Sequence, residues 1–296
     1  MLFALALAAQ AVPVPMVVHD HFYVTVDRPT FEAIRQSKWL REEFANVTVS
    51  THASGNDQWT GIYVSGVSTF VEIFCEGEDF RLGQAGVGLF TQKAGGVDDI
   101  DFHFRKRFGS RAVRELMNLG TPTHQEPFAH IASYSGQRST NIEFWVMEYH
   151  EEFYRKSGVP AGTSLVALQK AWRSGKKYTK LMGDIRNITL RPSGKPTDLI
   201  TALEALGFIR LPANTWPKYP QFGKNPTPPP SPQPTWRRGA TNEITILPPL
   251  AHAPKHALTA ARFSLTRRPS KSRTEKFGPH STLTISGDGF AIWRFR

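Results

Sequence analysis

Two side chains that can bind a metal ion or transfer a proton stand within the first 77 residues, in the outer strands of one predicted small sheet. His21 belongs to the first strand of that sheet and Glu72 to the last. Because side chains alternate along a strand, His21 shares a face with Tyr23, and Glu72 shares one with Phe70 and Phe74. A carboxylate among aromatic rings is costly unless it is paired or binds a metal. The two residues therefore indicate a pocket with a polar centre.

Plainer interpretations of the same residues stay open. His21 can be a hydrogen-bonded histidine of a pocket or of a sheet edge. Glu72 and the later Glu148 can be structural partners of an arginine or a tyrosine. His19, His130 and His150 are typical of surface or network histidines.

The pattern around these residues predicts the order strand, helix, strand, strand, strand. Pro29 suits a first helical turn, and the apolar side of the expected helix includes Phe31, Ile34 and Phe44. The predicted strands alternate in polarity, are bounded by turn residues and cover residues 20–27, 47–52, 60–65 and 69–75.

A second unit of similar order follows the first. It contains a predicted strand at 86–91, a helix at 97–108 and strands at 126–134 and 141–150. In the last strand Glu148 takes the place that Glu72 has in the first unit, with MEYH answering VEIF. The two units form a weak internal repeat.

The repeated order, together with the segments DHFYVTVD, TGIYVSGVSTFVEIF and WVMEYH, resembles the vicinal oxygen chelate, or glyoxalase-like, superfamily, in particular an exported bacterial branch of it. The resemblance covers residues 20–150. It implies an α+β fold in which repeated βαβββ modules form cup-shaped, mixed or antiparallel sheets with the helices outside. It also implies a divalent metal ion held by the first and last strands of the modules.

Carried over to this chain, the metal ligands are His21, Glu72 and Glu148. The fourth ligand would come from the first strand of the second unit, where the register leaves Gln84 or Gly86, and only Gln84 has an oxygen that can coordinate. Such a donor set suits manganese, iron, nickel or zinc.

The resemblance implies a metal-dependent lyase, isomerase or dioxygenase that acts on a small oxygenated molecule. The metal would bind two vicinal oxygens and stabilise developing negative charge, and Glu72 or Glu148 would act as general base. His130 can replace a missing ligand or contact the substrate. The expected substrate-binding residues are Tyr23, Tyr63, Phe70, Phe74 and His130. An alternative of another class is a metal-free protein that binds or sequesters a small aromatic or amphipathic molecule in the same cup.

The rest of the chain predicts a helical connector at 151–182 and a β-rich third module at 183–296. The third module has the same order of elements in degenerate form, and a proline-rich loop at 212–236 interrupts it. Because an isolated module leaves an unpaired sheet edge, it must pack on the other two modules or form a homodimer.

The third module carries the charge excess of the protein. The formal net charge is +11, and residues 210–296 contain 14 Lys and Arg against three acidic residues. Such an asymmetry can indicate an acidic partner, for example an envelope polymer. The charges are scattered through strand-like sequence, which favours an ordinary solvated face, and the aromatic residues are too few for a nucleic-acid surface.

The remaining signals concern location. Residues 2–9 are apolar and precede Ala9-Gln10-Ala11, a pattern typical of a signal peptide at 1–18 and of a secreted or periplasmic protein. No Lys or Arg precedes the apolar run, so a hydrophobic first strand stays an alternative. The sequence contains one cysteine, Cys75, which excludes an internal disulfide framework and is expected to serve packing.

Overall fold

The computed structural model describes residues 12–77, 79–173, 175–212, 235–239, 242–249 and 256–296. The predicted signal segment, up to residue 11, and most of the proline-rich loop lie outside these residues.

The first half of the protein is a closed barrel of eight strands. In chain order the strands are β1 (Val17–Val26), β2 (Asn46–Ser54), β3 (Asp57–Ser65), β4 (Phe70–Cys75), β5 (Ala85–Thr91), β6 (Ala112–Thr121), β7 (His124–Tyr134) and β8 (Ile142–Tyr149). Around the barrel their order is β1-β4-β3-β2-β6-β7-β8-β5. β1 is parallel to β4 and β5 is parallel to β8, whereas β1 and β5 are antiparallel. The barrel therefore consists of two βαβββ units, as expected.

One helix follows the first strand of each unit and covers the outside of the barrel. α1 (Arg28–Gln36) begins after Asp27, whose carboxylate accepts a hydrogen bond from the backbone N–H of Thr30, and carries a proline in its first turn. α2 (Gly96–Phe108) buries Ile100 and Phe104 against the barrel. The helix expected to continue to Phe44 instead breaks after Gln36, and a separate helical turn at Leu40–Phe44 follows.

The second half forms a sheet of eight strands. A connector with α3 (Glu151–Lys156) and α4 (Leu165–Trp172) leads to it, and α5 (Thr197–Ala205) follows its first strand. Its strands are β9 (Met182–Leu190), β10 (Ile209–Arg210), β11 (Thr235–Arg238), β12 (Asn242–Ile246), β13 (Leu258–Leu265), β14 (Arg273–Phe277), β15 (Ser281–Ile285) and β16 (Phe290–Phe295). They lie in the order β10-β11-β12-β9-β13-β16-β15-β14.

A continuous apolar core joins the two halves. The outward side of β1 contributes Phe22, whose ring lies 6.3 Å from that of Phe263 on β13. Phe44 approaches Phe263 edge-on at 6.4 Å, and Leu203 of α5 is fully buried in the same cluster. The third module thus packs on the outside of the barrel, which leaves the inside of the barrel to polar and aromatic side chains.

The α+β architecture with cup-shaped sheets and outer helices is the predicted one. Four strands were not predicted: β6, β10, β11 and β14. β6 and β14 have exposed, charged faces, which weakens the apolar alternation that marks a strand. β11 begins at Thr235, inside the predicted loop. In the described part of the chain, no helix is long and apolar enough to cross a membrane.

Candidate functional site

The inside of the barrel encloses a cavity of about 1130 Å³. Its walls include residues of β1, β2, β3, β4, β6, β7 and β8. In β1, β2 and β4 the lining residues alternate along the strand, so one face lines the cavity while the other points away from it. His21, Tyr23 and Glu72 all line this cavity. Three further predicted pocket residues also do so: Tyr63, Phe70 and Phe74.

Two rows of side chains cross the four strands β4, β1, β5 and β8 at the centre of the cavity. The strand register places Glu72, Tyr23, Gly86 and Glu143 side by side in the first row. The neighbouring row contains Phe70, His21, Gly88 and Trp145. The polar groups of the site therefore alternate with aromatic rings along one curved wall.

The two glycines make room for these rings. A Cβ atom on Gly86 would lie 2.2 Å from the ring of Tyr23, and one on Gly88 would lie 2.9 Å from the ring of His21 and 3.0 Å from Trp145. Both distances are too short for a real contact, so a side chain at either position would displace the rings. The fourth metal-ligand position is therefore occupied by neighbouring aromatic groups.

A β-bulge positions His21. The register between β1 and β5 shifts between His19 and His21, so the intervening Asp20 departs from strict alternation. Asp20 is fully buried, and its carboxylate lies 2.5 Å from Nδ1 of His21 and accepts a hydrogen bond from the Tyr149 hydroxyl at 3.3 Å. The ring of His21 stacks on Phe70 at 4.5 Å. This arrangement holds the proton at Nδ1 and turns Nε2 toward the cavity.

Electrostatic interactions favour a positive charge at His21. Burial alone lowers the pKa of His21, but the nearby carboxylates of Glu72 and Asp20 outweigh it, so that the pKa is raised. Burial raises the pKa of Glu72, which His21 only partly offsets. Within the described part of the chain no hydrogen bond reaches the carboxylate of Glu72 or Nε2 of His21, and neither is a fully buried unsatisfied atom, so both are open to the cavity.

Glu143 belongs to a second polar group in the cavity. The side-chain amide of Gln84 donates to Oε1 of Glu143 at 3.0 Å and to the hydroxyl of Tyr23 at 2.9 Å. The amide oxygen of Gln84 accepts from the backbone N–H of Arg81 at 3.3 Å. Gln84 therefore orients Glu143 and Tyr23, and its oxygen points away from His21.

Glu148 lies on the opposite face of β8 from the cavity. Its Oε1 accepts a hydrogen bond from the N–H of Gly95 at 2.7 Å and its Oε2 accepts one from Val97 at 3.3 Å, at the amino terminus of α2. A carboxylate there satisfies backbone donors and interacts favourably with the helix dipole. The structure thus does not bring Glu148 together with His21 and Glu72, and Glu143 is the glutamate of β8 that faces the cavity.

His130 is also outside the cavity. It lies next to Glu148 on that same outer face, where Nδ1 lies 3.3 Å from a guanidinium nitrogen of Arg114, and its ring is 5.3 Å from that of His150. Arg114 and burial lower its pKa, with burial as the larger cause. The arrangement is that of a surface network, one of the interpretations that the sequence left open.

A divalent metal ion does not fit the donor set that the sequence predicted. Of its four residues, His21, Glu72 and Gln84 line the cavity, but the amide oxygen of Gln84 accepts from the backbone of Arg81, and Glu148 lies on the other face of β8. In the described chain no group of three or more His, Cys, Asp and Glu residues is placed to hold a metal ion. In metal sites a carboxylate often holds the second ring nitrogen of a histidine ligand, as Asp20 does for Nδ1 of His21. However, His21 and Glu72 supply two protein donors, which is fewer than zinc and similar metal sites use.

Three important residues were missed in the sequence: Asp20, Glu143 and Trp145. Asp20 is the neighbour of His21, and strict strand alternation would send it to the other face. Glu143 and Trp145 lie on β8. Both faces of this strand are largely apolar, so its sequence does not show which face lines the cavity. The one available signal was an aspartate in the middle of the hydrophobic β1 strand, which is unusual without a buried partner.

Solved structures of very different sequence are similar to this chain, and one of them, with a TM-score above 0.5, shows the same fold. A hypothetical protein from Staphylococcus aureus is 8% identical with a TM-score of 0.54, and the match covers 92% of this chain and 99% of that one. A variant of homoprotocatechuate 2,3-dioxygenase from Brevibacterium fuscum is 10% identical, with a TM-score of 0.40, over 80% of this chain and 55% of that one. For 2,2',3-trihydroxybiphenyl 1,2-dioxygenase from Sphingomonas wittichii the values are 10%, 0.41, 94% and 89%. No curated protein matches the sequence.

The fold and the cavity define an α+β protein with a cup-shaped barrel and a second sheet packed on its outside. Residues 19–213 match the model of DUF5829, a family of unknown function. The chain belongs to this family. The matched range spans the barrel with its cavity, the connector, β9 and α5.

Replacement of Glu148 by alanine is expected to lower stability and not ligand binding. Two backbone donors at the buried start of α2 would lose their acceptor, at a cost of about 2–3 kcal/mol. For a chain of this size the Tm should fall by roughly 4–10 °C in a calorimetric scan. Glu115→Ala removes a carboxylate from an exposed position and should leave the Tm unchanged. Equal Tm values for the two variants would contradict the capping role.

The raised pKa values of His21 and Glu72 predict that stability falls as the pH rises. From about pH 4.5 to above pH 7 the folded state binds more protons than the unfolded state at these two groups, so the free energy of unfolding decreases with pH. Glu72→Gln removes the ionised carboxylate and should raise the Tm at pH 8 by roughly 2–5 °C, with a smaller difference at pH 5. Glu76→Gln, at an exposed position, is the matched control. Parallel Tm curves for the two variants would rule out this coupling.

Proposed function

We propose that the protein binds a small organic molecule with an aromatic or planar part inside the barrel. The observation that carries the proposal is the presence of two unsatisfied polar groups, Nε2 of His21 and the carboxylate of Glu72, on the wall of a large aromatic cavity. Both groups are open to the cavity and have no hydrogen bond from the described chain, so a bound molecule can pair with them.

The aromatic residues supply the binding surface. Tyr23 and Trp145 lie nearly parallel, with ring centres 6.2 Å apart, and Phe74 stacks on Phe80 at 4.3 Å. Rings buried on one side and open to the cavity on the other bind planar molecules by stacking and by exclusion of water. A cavity of about 1130 Å³ is slightly larger than the roughly 300–1,000 Å³ of typical small-molecule sites.

His21 can also move a proton to or from the bound molecule. Asp20 accepts the hydrogen bond from Nδ1 and stabilises the imidazolium, while Nε2 faces the cavity. A histidine oriented in this way is suited to general acid or base chemistry on a hydroxyl or carbonyl group. Proton transfer by His21 is a second candidate function. It uses the same cavity and needs no other protein group to donate or accept the proton.

Because the predicted metal ligands do not converge on one point, we expect weak metal binding. Addition of manganese, nickel, zinc or ferrous iron at 1 mM to chelator-treated protein should change the Tm by less than about 1 °C, because a tight site would stabilise it by several degrees. A stabilisation that disappears in both His21→Ala and Glu72→Ala would contradict this account and support a metal-dependent enzyme.

A neutral aromatic alcohol tests the binding proposal directly. Isothermal titration with 2-naphthalenemethanol should show one site per chain. Trp145→Ala should weaken this binding at least fivefold, which corresponds to about 1 kcal/mol of lost stacking. Phe102→Ala removes an exposed ring on α2 and is the control. Equal binding of the alcohol by the two variants would show that the cavity is not the binding site.

A further inference from the structure

The cavity has a charge opposite to that of the protein. The chain is strongly basic, with a formal net charge of +11. Yet the two central rows of the cavity contain Glu72 and Glu143, and Asp20 lies directly behind His21. No lysine or arginine stands in these rows, so three carboxylates are balanced by one imidazole at most.

Three basic residues line the cavity, Arg81, Lys156 and Arg173, and the side chain of Arg81 is exposed to solvent. Lys156 forms an ion pair with Glu126. Arg173 donates a hydrogen bond to the carbonyl of Val67 at 2.7 Å, and its guanidinium lies 5.4 Å from the ring of Tyr178. None of the three contacts Glu72 or Glu143 through a described hydrogen bond or ion pair. The described chain thus supplies no lysine or arginine partner to these two carboxylates, and His21 is the cationic group next to Glu72.

Aromatic faces surround the same carboxylates. Tyr23 stands between Glu72 and Gly86 in the first row, and Trp145 stands beside His21 across Gly88 in the second. Phe74 lies 5.6 Å from Tyr23 between ring centres. The faces of aromatic rings carry partial negative charge and attract cations, most strongly where water is excluded. Carboxylates placed between aromatic rings therefore favour a cationic molecule over a neutral or anionic one.

The orientation of His21 is an independent observation that points to a ligand. The residue is only 7% exposed, its Nδ1 is directed to Asp20, and Nε2 opens into the cavity with no hydrogen-bond partner among the described residues. In the neutral form, with the proton on Nδ1, Nε2 carries a lone pair and accepts a hydrogen bond from the N–H of an ammonium group, whereas the imidazolium donates one. The carboxylates of Glu72 and Asp20 that favour a positive charge at His21 equally favour a bound ammonium group in its place.

We propose that the molecule bound in the cavity is a small organic cation, an amine whose ammonium group lies between Glu72 and Glu143 and whose apolar part stacks on Tyr23 and Trp145. This inference rests on the proposed binding function and specifies its ligand class. An anionic molecule would be repelled by the central carboxylates. A neutral one would leave Glu72 buried without a partner, which is costly.

Three ligands that share one ring system and differ in charge test the inference. They are 2-naphthylmethylamine, 2-naphthalenemethanol and 2-naphthoate, titrated calorimetrically at pH 7 into the full chain. The amine is expected to bind at least tenfold more tightly than the alcohol, and the naphthoate is expected to bind least. Tighter or equal binding of the alcohol or the naphthoate would overturn the cation inference and leave the binding function intact. Failure of all three to bind would overturn both.

Two conservative variants locate the charge. Glu72→Gln and Glu143→Gln should each weaken binding of the amine at least fivefold and change that of the alcohol by less than twofold. Glu76→Gln on the surface is the matched control and should change neither. If Glu143→Gln is poorly folded, because it alters the network with Gln84 and Tyr23, the Glu72→Gln variant alone decides. Unchanged amine affinity in a folded Glu72→Gln protein would overturn the proposal.

Discussion

The close approach of aromatic rings to the backbone of β5 is the constraint on which the site depends. Because Gly86 and Gly88 carry no side chains, the rings of Tyr23, His21 and Trp145 fold over this strand and form one wall. The antiparallel pairing of β1 with β5 fixes which residues meet there, since a shift by one residue would turn the opposite face of β1 inward. The same pairing directs Phe22 and its neighbours outward into the core shared with the second sheet.

The polar groups are held by partners that ordinary strand geometry does not provide. The bulge at Asp20 lets two consecutive residues of β1 form one hydrogen-bonded pair, and Tyr149 anchors the carboxylate from β8. The side-chain amide of Gln84 likewise holds Glu143 and Tyr23 in place through hydrogen bonds. Each of these groups is buried in a low-dielectric environment, where charges interact strongly and an unpaired carboxylate is unfavourable. The cavity is therefore an acidic site within a basic protein.

The sequence predicts the fold well and the site in part. Strand periodicity and the repeated order of elements correctly give the βαβββ units and place His21, Tyr23, Glu72 and the pocket aromatics on one face. The orientation of β8 could not be predicted, because both of its faces are buried and apolar, and Glu148 was assigned the role of a cavity residue by analogy with Glu72. The bulge at Asp20 follows from tertiary pairing with β5, which local sequence does not specify.

The central claim is that Nε2 of His21 faces a ligand site shared with Glu72. The most direct test is the nuclear magnetic resonance signal of the His21 side-chain nitrogens, assigned by its loss in His21→Gln, during addition of 2-naphthylmethylamine. A progressive shift of the Nε2 signal of His21, with the exposed His124 unaffected, is the result that the structure predicts. An unchanged His21 signal at saturating ligand, or equal shifts at both histidines, would contradict the claim.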